Sequence, residues 1–202
     1  FIKNLTGRTI EDVCRRGKYL VLKTGVNQKL IVHLRMTGSL VAQASDLEAP
    51  PYAKIKFELT DGVTMWFCDI RTFGTLYLVA GYETLGPEPL TVGFNPEYLA
   101  PIAAKSRKPI KTLILDQTVI AGLGNIYADE CLALAGILPT RIANTLTRAE
   151  IEAVHEAANK VIAQGIANRG TTFRDYKDGE GNKGDNQNHL LVYGRGGEPC
   201  KT

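Results

Sequence analysis

Two glycines, Gly122 and Gly124, frame the segment whose residue types fit anion binding most directly. They remove side chains where the backbone turns, so that another molecule can approach the main chain closely. Asn125 follows at a position where its side chain can cap a helix. Backbone N–H groups at such a positive helix end donate hydrogen bonds to phosphate oxygens. The pattern predicts a phosphate-binding turn, although Gly-x-Gly-Asn by itself is more often an ordinary helix connection.

Basic residues are concentrated in two places. Residues 15–18 lead into a predicted strand, and the cluster Lys105, Arg107, Lys108 and Lys111 comes just before the glycine-rich turn. Each group is either a solvated face or a grip on phosphate groups. Lysine shifts its pKa readily on burial, so Lys18 is a candidate phosphate contact or proton carrier.

Two short segments combine a methionine, an arginine and a phenylalanine: Met36, Arg71 and Phe73. An enzyme that acts on a base must turn that base out of the duplex and fill the gap with apolar or planar side chains. Met36 and Phe73 suit the filling, and Arg71 suits paired hydrogen bonds to the orphaned partner base. The alternative is that both apolar residues belong to the core and that His33 is only a hydrogen-bonded residue at a strand end.

Composition excludes several classes of protein. The 202 residues are 44% apolar with a formal net charge of +3, so the chain can bury a core, and affinity for nucleic acid must come from local clustering. No apolar run approaches the roughly 18 residues of a membrane span, and no signal-peptide pattern occurs. Four scattered cysteines favour a reducing compartment.

Residues 1–90 have the pattern of β structure. Asp61 and Gly62 form a tight turn between the alternating run 55–59 and the apolar run 63–68, which predicts a hairpin. Further β-rich runs occupy 19–22, 30–34 and 75–79. A rigid connector, Gly86–Leu90, ends this part.

The later part of the chain has a helical pattern. Pro109 suits the first position of a helix over 110–115, and Thr147–Glu150 forms a capping box for a longer one. Residues 170–188 are polar and glycine-rich, which favours a functional loop. Leu190–Tyr193 has the pattern of one further strand. A β part followed by a helical part predicts an α+β architecture of two domains.

In their order, these motifs resemble the formamidopyrimidine-DNA glycosylase family, of the bacterial Fpg/MutM type, over nearly all of the chain. Residues 116–139 are similar to the helix–two-turn–helix element of that family. The resemblance implies a truncated N-terminal β-sandwich domain at 1–90, a helical helix–two-turn–helix domain with a damaged-base loop at 91–190, and the start of a truncated zinc hairpin at 191–202. It also implies a monomer in the bacterial cytoplasm, associated with the nucleoid.

The activity implied is DNA base-excision repair by a bifunctional glycosylase and apurinic/apyrimidinic (AP) lyase. Such an enzyme excises oxidised purines, namely 8-oxoguanine and formamidopyrimidines, from double-stranded DNA. In this family the amine of an N-terminal Pro, followed by Glu, forms a Schiff base with the sugar, displaces the base and sets up two strand-cleaving eliminations. Neither residue has a counterpart in the sequence, so we expect an inactive fragment of a longer enzyme.

Residue roles follow from matched positions in the motifs. Lys18 stands where the family has a lysine near the scissile sugar–phosphate and is the predicted catalytic residue. The trio described above matches the residues that fill the vacated stack. The other predicted DNA contacts are His33, Lys111, Asn125 and Tyr193, and the predicted damaged-base loop contains Thr171, Thr172 and Tyr176.

Residues 192–200 match the entry into a four-cysteine zinc hairpin, which implies one structural zinc ion in the intact protein. Cys200 is the predicted ligand, although one cysteine cannot build a structural zinc site. The chain departs from the family at Tyr52, near which many members have a DNA-contacting His, and at Thr72, where many have a second Arg.

Two other functions stay open on the sequence. One is the sister endonuclease VIII-type activity on oxidised pyrimidines, against which the trio and the long loop after Thr172 argue. The other is a noncatalytic DNA-binding module that has kept the grip and lost the nucleophile. The coding sequence upstream of Phe1 separates a fragment from such a module, because the family begins Pro-Glu-Leu-Pro-Glu.

Overall fold

The computed structural model describes residues 2–25, 28–80, 84–173, 182–199 and 201. The chain forms two compact units. The first, the β unit, comprises residues 1–83 with 179–182, and the second, the helical unit, comprises 84–178 with 183–202.

The connector after residue 83 belongs to the helical unit, whereas the sequence pattern places it in the β part. Gly86 N–H donates to the carbonyl of Gln117 at 3.0 Å, and Pro87 O accepts from Ala121 N–H at 3.1 Å. These bonds attach the connector to the glycine-rich turn, and they place the division before the connector rather than at residue 90.

The β unit is a sandwich of two antiparallel sheets, preceded in the chain by a short helix, α1 (Ile2–Leu5). One sheet has the order β1-β2-β3-β7 and the other β4-β6-β5. Its apolar core joins Leu22, Leu30 and Val32 of the first sheet to Phe67 of the second. The strands are β1 (Asp12–Arg16), β2 (Tyr19–Lys23), β3 (Lys29–His33), β4 (Gly38–Ala44), β5 (Ala53–Glu58), β6 (Val63–Asp69) and β7 (Thr75–Val79).

All five predicted β-rich runs are strands, and the hairpin through Asp61 and Gly62 is confirmed. The sequence did not predict β1 and β4, which are edge strands of their sheets. β1 is mostly exposed and β4 buries little. A strand that buries few side chains shows little of the apolar alternation that marks a strand in sequence.

Within its described residues, the helical unit contains four helices: α2 (Pro96–Ala104), α3 (Ile110–Leu115), α4 (Asn125–Leu134) and α5 (Arg148–Ala167). The capping box of α5 is confirmed, because Thr147 accepts from Glu150 N–H while the Glu150 carboxylate accepts from Thr147 N–H. The described part of the unit also has two 3-10 turns, Ala143–Thr145 and Asn186–His189. None of the helices in the described part of the chain has the length and apolarity needed to cross a membrane. The α+β class is confirmed.

The strand predicted at Leu190–Tyr193 is wrong, because a side chain takes the backbone donors that a sheet would need. Glu130, buried on α4, accepts from the N–H groups of Leu191, Val192 and Tyr193 at 2.6, 2.9 and 2.8 Å. The segment is held in an irregular conformation against α4 instead.

Gly165 lies inside α5 because a larger residue would collide with α4. A Cβ atom at this position would meet the side chain of Tyr127, with the ring carbon Cε1 at 2.6 Å. The glycine therefore sets how closely α4 and α5 approach each other.

Replacing Gly165 by Ala should lower the melting temperature. At an open helix position alanine is more stable than glycine by about 1 kcal/mol, but here the clash reverses the sign, and we expect a loss of about 1–3 kcal/mol. Thermal unfolding followed by circular dichroism measures it. In a Tyr127→Ala background the penalty should vanish, and an equal penalty in both backgrounds would refute the contact.

Candidate functional site

One end of the β unit carries two connections between its sheets, residues 34–37 and residues 70–74. The first follows His33 at the end of β3, and the second follows Asp69 at the end of β6. Gly38, the first residue of β4, pairs with Asp69, so the two connections lie side by side. The predicted site residues of this unit lie on these connections or at the adjoining strand ends: Lys18, His33, Met36, Arg71 and Phe73.

The Met36 and Phe73 side chains are exposed, so the interpretation as core residues is wrong. Met36 is 70% exposed and Phe73 is 56% exposed. Arg71, also exposed, donates from Nη1 to the Met36 sulfur at 3.8 Å, which places the guanidinium beside the thioether. The three side chains thus form an exposed group of two apolar residues and one planar cation.

Asp69 is the buried residue under this group, at 1% exposure. Its carboxylate accepts from the Thr37 hydroxyl at 2.5 Å and from the N–H groups of Gly74 and Arg71 at 2.8 and 3.1 Å. Burial raises the pKa of Asp69, but the hydrogen bonds from Thr37, Gly74, Arg71 and Phe73 outweigh it, so that the net pKa lies below its ordinary value. Sequence reasoning gave Asp69 no role, although it directly precedes the arginine–phenylalanine segment.

Both connections contain a residue in the left-handed backbone region. Arg35 has φ 55° and Thr72 has φ 58°, conformations that cost roughly 1–3 kcal/mol in a residue with a side chain. Gly74 is required for a different reason, since a Cβ there would lie 2.5 Å from Phe67 Cζ and 3.2 Å from His33 O. The surrounding contacts therefore determine the shape of both connections.

Lys18 and His33 lie at the same end of the β unit. Lys18 is open to solvent, yet surrounding protein atoms partly desolvate its ammonium group. This desolvation, together with the positive charge of Arg35, lowers the pKa of Lys18. The His33 ring meets Tyr19 edge-on at 4.8 Å, and its Nδ1 accepts from Arg35 N–H at 3.0 Å. A neutral His33 therefore carries its proton on Nε2.

Hydrogen bonds of the Gln117 side-chain amide hold the glycine-rich turn between α3 and α4 in shape. Its Nε2 donates to the carbonyls of Leu115 and Leu123 at 2.8 and 3.0 Å, and its Oε1 accepts from Gly122 N–H at 2.9 Å. Sequence reasoning missed Gln117, because its role depends on the folded course of the turn. This side chain replaces the hydrogen bonds that regular structure would supply.

Asn125 is the first residue of α4 and does not cap it, so the predicted N-cap is wrong. Gly124 is the N-cap, with an extended backbone at φ −107° and ψ 176°. A glycine offers no side-chain acceptor to the first N–H groups of the helix. The exposed amide of Asn125 thus lies at a ten-residue helix whose N-terminus suits an anion.

Lys111 forms a partly buried ion pair that joins α3 to α4. Its Nζ lies 2.8 Å from Asp129 Oδ1. The Asp129 carboxylate holds the Lys111 ammonium group in place and compensates its charge. Lys111 therefore acts as a positioned hydrogen-bond donor rather than as an uncompensated positive charge.

Thr171 and Thr172, which were predicted to lie in the damaged-base loop, are hydrogen-bonded to residues 186 and 184. Thr171 Oγ1 accepts from the Asn186 amide at 3.0 Å, and Thr172 Oγ1 accepts from Gly184 N–H at 2.9 Å. Tyr176 lies outside the described residues. Tyr193, held by Glu130 through its backbone, has its ring 5.7 Å from that of Phe173.

The described residues do not form a zinc site. No group of three or more His, Cys, Asp or Glu suited to a metal occurs in the described ranges, and Cys200 lies outside them. Cys14, Cys68 and Cys131 belong to three different elements. Burial raises the pKa of Cys131 to about 12, which disfavours the thiolate that zinc requires. The zinc centre stays a prediction.

Two family models match the chain in sequence order. The formamidopyrimidine-DNA glycosylase N-terminal domain matches residues 1–76, and the formamidopyrimidine-DNA glycosylase H2TH domain matches residues 85–177. The chain belongs to the formamidopyrimidine-DNA glycosylase family. The first match gives no support to the expectation that the catalytic N-terminal segment is absent.

Curated relatives agree with this assignment. The formamidopyrimidine-DNA glycosylase of Moorella thermoacetica is 48% identical over 99% of this chain and 76% of the relative. That of Chloroflexus aggregans is 43% identical over 99% of this chain and 75% of the relative. The chain thus spans about three quarters of the length of these family members.

Solved structures of the family have the same fold. A complex of Lactococcus lactis Fpg with DNA containing an abasic site is 35% identical, with a TM-score of 0.89 over 98% of this chain and 76% of that one. A MutM complex with DNA containing carbocyclic 8-oxo-G gives the same identity and TM-score over 98% and 75%. MutM (Fpg) from Thermus thermophilus is 36% identical, with a TM-score of 0.87 over 97% and 75%.

Replacing Arg35 by Asn should raise the pKa of Lys18, because it removes the like charge that disfavours the ammonium form. Asparagine tolerates the left-handed backbone at this position, so the connection should keep its shape. NMR titration of the Lys18 Nζ group measures the change. Arg35→Lys keeps the charge and is the control: equal Lys18 pKa values in the two variants would rule out Arg35 as a cause.

Proposed function

We propose that this protein is a bifunctional DNA glycosylase and AP lyase of base-excision repair that excises 8-oxoguanine and formamidopyrimidines from double-stranded DNA. Family membership supports the glycosylase activity. The complexes of related structures with DNA that contains abasic sites or carbocyclic 8-oxo-G support the choice of substrate.

The observation that carries the proposal is the exposed group of Met36, Arg71 and Phe73 on two adjoining connections. Two large apolar side chains lie in solvent beside a guanidinium, on backbone that the surrounding contacts constrain, and exposed apolar groups rimmed by polar residues occur at binding surfaces. A flexible thioether, an aromatic ring and a guanidinium together can replace a base that has left the stack and can contact its former partner.

Phosphate contacts are proposed on each unit separately. In the β unit, we propose Lys18 and His33 as the contacting side chains, while in the helical unit the start of α4 supplies Asn125. We propose Lys111 as a donor to DNA or to the damaged base. Because Asp129 compensates the charge of Lys111, we expect Lys111 to contribute little to the salt dependence of DNA binding.

We propose the family's chemistry for the full-length protein: an N-terminal proline nitrogen forms a Schiff base with the sugar, the damaged base leaves, and two eliminations cut the strand. Lys18 would move a proton or contact a phosphate near the reacting sugar, and its lowered pKa makes its ammonium group a readier proton donor than that of an ordinary lysine. Thr171, Thr172 and Tyr176 would belong to the loop that recognises the damaged base.

Other features of the proposal rest on the sequence. The three cysteines in the described ranges are free, which supports a reducing bacterial cytoplasm, where we propose that the protein acts as a monomer at the nucleoid. The zinc ion of the full-length protein, with Cys200 as one ligand, has no described ligand set to support it.

Borohydride trapping tests the catalytic part of the proposal. A version that carries the family's Pro-Glu start should form a covalent adduct with an 8-oxoguanine duplex. A polypeptide beginning at Phe1 lacks that proline, and its α-amine stands at a different place in the sequence, so it should form none. Binding without an adduct in both versions would favour a noncatalytic module, and faster release of oxidised pyrimidines than of 8-oxoguanine would favour an endonuclease VIII-type enzyme.

Truncating the exposed trio tests its role in the proline-containing version. Met36→Ala and Phe73→Ala should reduce 8-oxoguanine release about tenfold or more, because extrusion costs a few kcal/mol, while largely sparing a pre-formed abasic site. Arg71→Ala should also weaken discrimination of the opposite base. Single-turnover rates on both substrates measure these effects.

Val92→Ala is the matched control, since Val92 is apolar and 95% exposed in the helical unit. All four variants should unfold within roughly 0.5 kcal/mol of the parent, as is usual for exposed positions. Variants of the trio that process both substrates in the parental ratio would contradict the gap-filling role.

A further inference from the structure

We propose that Asp69 is a positioning residue for base extrusion, acting through the connections that carry Met36, Arg71 and Phe73. This inference rests on the proposed function and adds to it a residue that touches no DNA. Its basis is that one buried carboxylate bonds to both connections.

Asp69 satisfies the irregular backbone of residues 70–74. Its two oxygens accept from Arg71 N–H and Gly74 N–H, on either side of Phe73. Buried backbone donors without a partner are costly, and this segment lies outside the sheets that would otherwise supply one. The carboxylate therefore determines the path of the backbone from which the Phe73 ring projects.

Thr37 extends the same network to the other connection. Its hydroxyl donates a hydrogen bond to Asp69 Oδ1 at 2.5 Å and accepts one from Arg71 N–H at 3.2 Å. Met36 is the preceding residue in the chain, so its backbone is held by the same carboxylate. The two connections are thus joined twice: by the contact between the Arg71 and Met36 side chains at the surface, and by the hydrogen bonds of Thr37 beneath it.

Only an ionised carboxylate offers acceptors to donors on both sides. An asparagine would turn an NH₂ group toward one set of backbone N–H groups, so that donors would face donors. The lowered pKa of Asp69 agrees with this geometry, because the hydrogen bonds favour the charged form despite its burial.

Positioning is needed because the exposed trio has little packing of its own. Side chains in solvent do not fix their own places, so the backbone beneath them must do so. Preformed connections would insert into the duplex without first losing conformational entropy, which lowers the barrier to extrusion. A pre-formed abasic site everts with less help and therefore depends less on this arrangement.

Kinetics of the full-length, proline-containing protein test the inference. Asp69→Asn and Thr37→Val should reduce 8-oxoguanine release about tenfold relative to abasic-site cleavage, the size expected when hydrogen bonds to a charged group are lost. Thr37→Ser keeps the hydroxyl and should restore the parental ratio. With 2-aminopurine beside the lesion, the fluorescence change on binding should shrink in Asp69→Asn and Thr37→Val and recover in Thr37→Ser.

Two matched controls lie in the same unit. Asp12→Asn removes a carboxylate of lowered pKa that is paired with Lys23, and Thr64→Val removes a hydroxyl bonded to Ser45 at 2.9 Å. Neither residue contacts the two connections through these bonds, so both variants should keep the parental ratio of the two rates even where stability falls.

The outcomes separate the two proposals. A parent that fails to release 8-oxoguanine and forms no trapped adduct refutes the proposed function. A parent that works while Thr37→Val and Asp69→Asn lose both rates equally, or lose neither, refutes the positioning role. If Asp69→Asn does not fold, the comparison of Thr37→Val with Thr37→Ser decides.

Discussion

Buried backbone N–H groups outside helices and strands need acceptors, and this requirement determines how each functional segment is held. Asp69 supplies the acceptors for residues 70–74, Gln117 for the glycine-rich turn, and Glu130 for Leu191–Tyr193. In each case a polar side chain from a helix, a strand end or a turn replaces the missing secondary structure. The segments that would meet DNA are consequently irregular in shape without being free in position.

Local signals in the sequence predicted the fold well where the partner residues are close in sequence. The Asp61-Gly62 hairpin and the Thr147 capping box each need only a few neighbouring residues. The edge strands β1 and β4 were missed because pairing, not burial, defines them. The strand at Leu190–Tyr193 was predicted wrongly because its donors are taken by Glu130, more than sixty residues earlier in the chain.

The sequence was enough to predict which residue types form the candidate site, but not which residues hold them in position. Met36, Arg71 and Phe73 could be selected because extrusion needs those chemical groups, yet sequence could not decide between core and surface. The roles of Asp69 and Gln117 were not predictable, because a carboxylate or amide looks the same in the sequence whether its side chain is solvated or accepts backbone donors. The cap of α4 differed by one residue, since Gly124 needs no side chain to start a helix.

The attachment of Leu191–Tyr193 to Glu130 involves only main-chain donors. Every residue type except proline provides the same N–H group, so this anchor is indifferent to the side chains that it holds in place. Substitution at residues 191–193 can therefore change which chemical groups the segment presents, while its backbone stays where it is. The three positions can therefore vary in side chain, whereas Glu130 must keep its carboxylate for the segment to stay in place.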